Sequence, residues 1–488
     1  MATSLIAAPL PAQLPQRAKV HEFPSSIRMS EIISALSYAL DLTEGQPMGH
    51  SVRTCAIGMR IANEIGLPLR EQADLYYALL LKDTGCSSNS SRLFHILNSD
   101  EIRAKHDVKT TDWTRVGWES LHYALTHIAT GSSFLDRVGK LFQLAGTHQQ
   151  DSRDLVKIRC ERGSYIARQL GFSNAVAASV YSLDEHWDGR GYSLGLRGNE
   201  IPLFSLIANL AQTLEVFFTA GGPIAALDAA RRRSGRWFDP ELVKAATSLA
   251  AHGSLWTGLS DPDLMSRVQS LEPEQRRMRA NEESIDNICL AFADIIDAKS
   301  PFTYRHSVGV AEAATEIGCV LGLGLRDMKL IRRAALLHDV GKLGVSNAIL
   351  EKPGKLNDEE WKIVHRHPSY TLEILKRIPG FAVVSEDAAQ HHERLDGSGY
   401  WRGYTAEQLS LPARILAVAD VYDALHSKRP YRDSLPTEKV FEVMRGESPH
   451  ALDSDCLEAL VAAKTNPSSP SYPGPQPELC DAAVSSSD

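Results

Sequence analysis

An internal repeat limits what this chain can fold into more than any other feature. His306 and Asp339 stand 33 residues apart, and so do His50 and Asp83. Four blocks recur in one order: LPLREQADLYYALLLKDTGC with LGLRDMKLIRRAALLHDVGK, ERGSYIARQL with RHPSYTLEIL, LDEHWDGRGY with HHERLDGSGY, and RWFDPELVKA with HALDSDCLEA. Chance does not keep four blocks in sequence, so the chain is two related units joined in tandem. An extra stretch near 87–150 has no partner in the second unit and reads as an insertion.

Within each unit the apolar residues fall three and four apart, as in SEIISALSYALDL, REQADLYYALLL, RDMKLIRRAALL and TEKVFEVM. Strand-like alternation of any length is missing, so the fold expected is all-α, built of two tandem helical bundles. The boundaries expected are a flexible arm at 1–28, a first domain at 29–270, a second at 281–465 and a disordered tail at 466–488 rich in Pro and Ser. A hydrophobic share of 43% with 23% charged residues supports proper cores.

Composition also removes some functions. The net charge is -8 and the longest basic run is Arg231 to Arg233, so binding to nucleic-acid duplex is not expected. Seven scattered cysteines without a C-x-x-C pair argue against a disulfide framework or structural zinc and fit a reducing, cytoplasmic setting. The first residues lack a basic leader, and no run of eighteen apolar residues occurs, so no membrane span is expected.

The second unit concentrates the chemistry. His306, His338, Asp339, His367, His391, His392 and Asp420 fall at helix ends or on separate helices. Singly, each is an ordinary hydrogen-bonded core residue. Together they form a nitrogen and oxygen donor set that can converge from several helices on two metal ions, with Asp339 offering one oxygen to each. Such a pair activates water and clamps phosphoryl oxygens. Mixed donors favour iron or manganese over magnesium.

These residues carry a resemblance. HDVGK at 338–342, HHERLDGSGY at 391–400, ADVYDAL at 419–425 and RPYR at 429–432 resemble the HD-GYP branch of the HD phosphohydrolase superfamily, over roughly 281–465. The resemblance implies two HD-type bundles, the first degenerate. It further implies a phosphodiesterase that opens cyclic di-GMP to pGpG or GMP in bacterial signalling. By it, the seven residues above are metal ligands, and Asp339, Lys342 and Asp423 are catalytic, with Asp423 orienting Lys342. Tyr400, Arg429 and Arg432 would contact the nucleotide, with Tyr400 offering a ring face to a base.

Two departures stand out. Phe302 occupies the place of the glutamate that binds a third metal in some members, so two divalent transition-metal ions are expected. Trp401 replaces the proline of the family signature, either stacking on a base or packing on a neighbouring helix. Glu393 and Asp396 are expected to support the paired histidines or to shape the loop, with Asp396 favoured as a turn residue.

The first unit keeps His50 and Asp83. The repeat as aligned sets Lys82 against His338, Cys86 against Lys342, Arg162 against His367, Leu183 and Asp184 against His391 and His392, and Leu210 against Asp420. Two ligands beside added positive charge cannot hold two cations. The first unit is therefore expected to be catalytically silent. Two rivals to cyclic di-GMP hydrolysis stay open: another substrate, such as cyclic GMP-AMP or a nucleotide monoester, and a non-catalytic nucleotide-binding adaptor. A diguanylate cyclase, another signalling protein and a second copy of the chain are the candidate protein partners.

Overall fold

The protein is described by a computed structural model covering residues 27–111, 126–127, 153–428, 433–466 and 472. Most of the N-terminal arm, the insertion beyond Thr111, the tail, and both Arg429 and Arg432 lie outside the described residues.

The fold is all-α, as the periodicity predicts. The first half comprises α1 (Met29–Thr43), α2 (His50–Glu64), α3 (Leu69–Leu81), α4 (Ser90–Leu97), α5 (Glu101–Val108), α6 (153–169), α7 (Asn174–Tyr181), α8 (Leu203–Arg233) and α9 (Pro240–Ala251). The second half comprises α10 (Glu282–Asp297), α11 (His306–Val320), α12 (Leu325–Leu337), α13 (His367–Leu375), α14 (Ala382–Ala389), α15 (Leu411–His426), α16 (Thr437–Glu447) and α17 (Ser454–Thr465). Side-chain caps start several of them. Asn281 accepts from the Ser284 N–H at 2.8 Å ahead of α10, and Ser410 accepts from the Ala413 N–H at 3.1 Å ahead of α15.

The halves share one apolar core running from Ile27 to Leu460. A two-stranded antiparallel clip joins them, with Ile27 opposite Ala280, and each strand leads towards the first helix of its own half. Helix α1 packs on the short turn Val340–Gly344 and on α13 of the second half as well as on α2 and α3. That double contact explains why even Ser30, Ser34 and Ser37 of α1 are buried. Farther out, the fully buried Glu101 of α5 accepts from the Ser346 hydroxyl at 2.7 Å and the Asn347 N–H at 2.9 Å. Lys299 lies 3.5 Å from the same carboxylate.

Helix α8 alone among the described residues is long and apolar enough to cross a membrane. It departs from helical geometry at Gly222, next to Pro223, and 67% of its apolar window is buried inside the molecule, as in a core helix.

Matching contacts fix how the halves correspond. Asp41 accepts from the Ser51 N–H as Asp297 does from Ser307. A Cβ on Gly85 would lie 1.9 Å from the Arg159 carbonyl, and one on Gly341 would lie 2.0 Å from that of His367. Glu185 accepts from the Leu194 and Leu196 N–H groups where Glu393 accepts from Arg402 and Tyr404. His50 Nδ1 meets Glu215 as His306 Nδ1 meets Asp423. The counterpart of His367 is therefore Arg159, not Arg162, and that of Asp420 is Gln212, three residues before Glu215, not Leu210.

Candidate metal centre

The HDVGK segment ends α12 and enters a tight turn in which Gly341 leaves no room for a side chain against α13. This close approach brings His338 and Asp339 beside His367, the first residue of α13. His391 and His392 follow α14, His306 opens α11, and Asp420 lies within α15. The elements thus deliver all seven sequence-predicted ligands to one place, each buried except the partly exposed His392.

Asp339 stands at the centre. Its Oδ1 is 3.5 Å from the Nε2 atoms of both His367 and His391, while its Oδ2 is 3.3 Å from His338 Nε2 and 3.6 Å from His306 Nε2. Asp420 spans the same two groups, with Oδ1 at 3.2 Å from His306 Nε2 and Oδ2 at 3.5 Å from His392 Nδ1. Two donor sets therefore share Asp339: His306 with His338, and His367 with His391 and His392.

Four of the five imidazoles are pre-oriented. The Nδ1 atoms of His338, His367 and His391 bond the carbonyls of Ala335, Val364 and Ala388 at 2.6, 2.7 and 2.6 Å. A carbonyl only accepts, so Nδ1 carries the proton and the Nε2 lone pair faces Asp339. Burial holds His367, His391 and His392 below the usual imidazole range, keeping them neutral. Burial works against ionisation of Asp339, but His338 and Lys342 hold it well below the usual carboxylate range. His306 differs: burial opposes its charge, yet Asp420 and Asp423 carry it up to about 9.

The donor set fits metal ions on this geometry. His306 Nε2, His338 Nε2 and Asp339 Oδ1 are buried and have no hydrogen-bond partner. Such atoms are costly inside a protein unless something satisfies them, and cations between the two sets would do so.

The neighbouring residues divide. Lys342 Nζ bonds Asp339 Oδ2 at 2.7 Å. Asp423 does not orient it, contrary to expectation; it bonds His306 Nδ1 at 2.6 Å, because it lies one helical turn after Asp420 on the same face of α15. Tyr400 reaches the centre, but its ring is sandwiched between His392 at 4.5 Å and His365 at 4.0 Å, so it has no free stacking face. Trp401 has φ 100°, a value proline cannot adopt, and Ser193 in the first half has φ 101°. Its ring is covered by the Arg402 guanidinium at 4.0 Å, which Glu386 and Tyr404 hold in place. Glu393 pins the loop backbone and Asp396 accepts from Ser398, both in loop-shaping contacts. Trp361 and His365, which no sequence motif marks, line a groove against Tyr400.

The equivalent pocket of the first half carries its own cations. Lys82 Nζ lies 3.0 Å from His50 Nε2 and pairs with Asp83. Lys109 Nζ lies 3.0 Å from Glu44 and 3.8 Å from Asp83. Arg159, in the place of His367, pairs with Asp184, in the place of His392. Glu44, Asp83 and Cys86 are close enough to share an ion. Ammonium groups already neutralise the acids, however, and burial pushes the Cys86 thiol far from thiolate.

The family model for the HD domain matches residues 108–242 and 291–456, one stretch in each half. The chain belongs to the HD domain family. Within this HD protein the second half carries the HD-GYP-type motifs and the first a degenerate copy of them. It is 40% identical over 437 residues to 3'3'-cGAMP-specific phosphodiesterase 3 of Vibrio cholerae, covering 89% of this chain and 94% of that one. A crystal structure of the cyclic GMP-AMP-specific phosphodiesterase V-cGAP3 matches with a TM-score of 0.64 at 37% identity, over 90% of this chain and 98% of that one. A cyclic di-GMP phosphodiesterase response regulator of Xanthomonas campestris is 38% identical over 41% of this chain and 54% of its own length. The chain is an enzyme of the phosphodiesterase class.

Proposed function

We propose that the second half, residues 281–465, is the catalytic domain of a metal-dependent phosphodiesterase whose substrate is 3'3'-cyclic GMP-AMP. Hydrolysis of a cyclic dinucleotide is the coarser activity, supported by relatives of both substrate types. The relative covering nearly the whole chain is the cyclic GMP-AMP enzyme, so that substrate moves ahead of the cyclic di-GMP expected from the motifs. The observation carrying the reading is the convergence of five imidazoles on the two oxygens of Asp339 and on Asp420.

In this reading His306, His338, His367, His391, His392, Asp339 and Asp420 hold two divalent ions, with iron or manganese suited to the mixed donors. When bound, the ions supply a water nucleophile at neutral pH and Lewis acidity towards the phosphoryl oxygens. The residues do the rest. The backbone carbonyls and Asp423 fix the imidazoles, and the Lys342 ammonium, tethered to Asp339, is placed to meet a phosphoryl oxygen as charge develops. Water adds to phosphorus, the bond to the ribose 3' oxygen breaks, and that oxygen leaves with a proton. We assign the first half, residues 29–270, a structural role, because its cations fill the equivalent pocket.

Turnover of 3'3'-cyclic GMP-AMP, cyclic di-GMP and cyclic di-AMP by the full chain loaded with iron or manganese tests this. A clear preference for cyclic GMP-AMP is expected. Preference for cyclic di-GMP would reverse the substrate assignment, and binding without turnover would favour the adaptor.

A further inference from the structure

A groove of about 500 Å³ opens beside the metal centre, lined by Asp358, Trp361, Lys362, His365 and Tyr400. Its wall is the short helix Asp358–Val364, held at its start by reciprocal bonds between Asn357 and Glu360. Four rings form a ladder from the ligands to the surface. His392 meets Tyr400 at 4.5 Å, Tyr400 stacks on His365 at 4.0 Å and 12°, and His365 meets Trp361 at 5.1 Å. Tyr400 has both faces taken, whereas Trp361 is 44% exposed. Within this ladder the ring with exposed surface is therefore Trp361, farther from the ligands than the tyrosine of the sequence signature.

A cyclic dinucleotide carries two bases on one phosphate ring, so with one phosphate at the metals a base must lie to the side. Trp361 offers it a stacking face. Asp358, one helical turn earlier, brings a carboxylate to the same groove. Carboxylates accept from paired N–H donors, which guanine has at N1 and N2 and adenine lacks. Lys362 adds a positive charge at the rim, held by Glu359 at 2.6 Å.

Resting on the phosphodiesterase reading, we propose that this groove seats the guanine base of the substrate, stacked on Trp361 with its Watson–Crick edge towards Asp358. Trp361 and Asp358 are specificity-determining residues, not catalytic ones.

The test uses the full, metal-loaded chain, with metal content measured on every variant. Trp361→Ala should raise KM for 3'3'-cyclic GMP-AMP about tenfold, the scale of one lost base stack, with kcat within twofold and Trp361→Phe restoring most of the loss. Asp358→Asn should raise the same KM without raising that for cyclic di-AMP. An unchanged KM in Trp361→Ala, or a loss confined to kcat, overturns the proposal, and equal effects of Asp358→Asn on both dinucleotides overturn the guanine assignment. Calorimetric binding to metal-free protein separates the two readings. If wild type hydrolyses nothing yet binds 3'3'-cyclic GMP-AMP through Trp361, the phosphodiesterase reading fails and the seat stands. No binding at all sinks the seat.

Discussion

Asp423 and His306 show how much one side chain decides. His306 is the one imidazole ligand candidate whose outer nitrogen leans on a carboxylate rather than a backbone carbonyl. Asp423→Ala should therefore leave the fold intact and weaken metal binding about 10-fold to 100-fold, the usual effect of losing a ligand's orienting partner, read by titration against a competing chelator. The same carboxylates carry His306 up to about 9, so an ion must displace a proton from it at neutral pH. Protonation competes with the metal, so apparent affinity should fall as pH drops below about 9, approaching tenfold per unit for a single proton. Equal affinity at pH 6 and pH 8 would show that metal binding displaces no proton from His306 in that range. At Gly341 any side chain would strike the His367 carbonyl. Gly341→Ala should cost about 1–3 kcal/mol of stability in denaturant unfolding and loosen metal binding as well.

Between elements, the contacts of α5 are the most exposed to test. Glu101→Ala would leave the Ser346 hydroxyl, the Asn347 N–H and the Lys299 ammonium without their buried partner, at a cost of about 3 kcal/mol measurable by denaturant unfolding. The helical periods, the ligand set and the repeat were legible in the sequence because they rest on spacing and residue type. The correspondence of the halves was legible only in part. The Ser-Tyr pairs at 164–165 and 369–370 drew the alignment three residues away from Arg159, and no repeated block within α8 pinned Asp420 to Gln212 rather than to Leu210. Backbone contacts at Gly85 and Gly341 decide the first, and the pairing of His50 with Glu215, as of His306 with Asp423, decides the second. Trp361 and His365 looked like ordinary residues of a surface helix, because their meeting with Tyr400 is made across a loop far along the chain. Asp423 was misassigned because helical spacing gives its face and not its partner.

For the molecule as a whole, the repeat has split one architecture into two tasks. One half retains five inward imidazoles, and the other keeps His50 but sets Lys82 and Arg159 where His338 and His367 stand, with Lys109 beside them, so that ammonium and guanidinium groups pair with the remaining acids. The first half also shapes its twin, since α1 covers the turn that carries Lys342 and the two share a core. A fragment spanning 281–488 should accordingly lose solubility or melt well below the full chain, and a fully soluble, fully active fragment would remove the structural role assigned to the first half. The central claim is that one pair of ions, held in the second half around Asp339, hydrolyses a cyclic dinucleotide. Metal content by mass spectrometry on protein purified without air, for wild type and Asp339→Ala, with 3'3'-cyclic GMP-AMP turnover on the same samples, tests it most directly. The account predicts about two iron or manganese ions per chain in wild type, with both metal and turnover lost in the variant. Turnover that survives in Asp339→Ala, or wild type that takes up no metal, would contradict it.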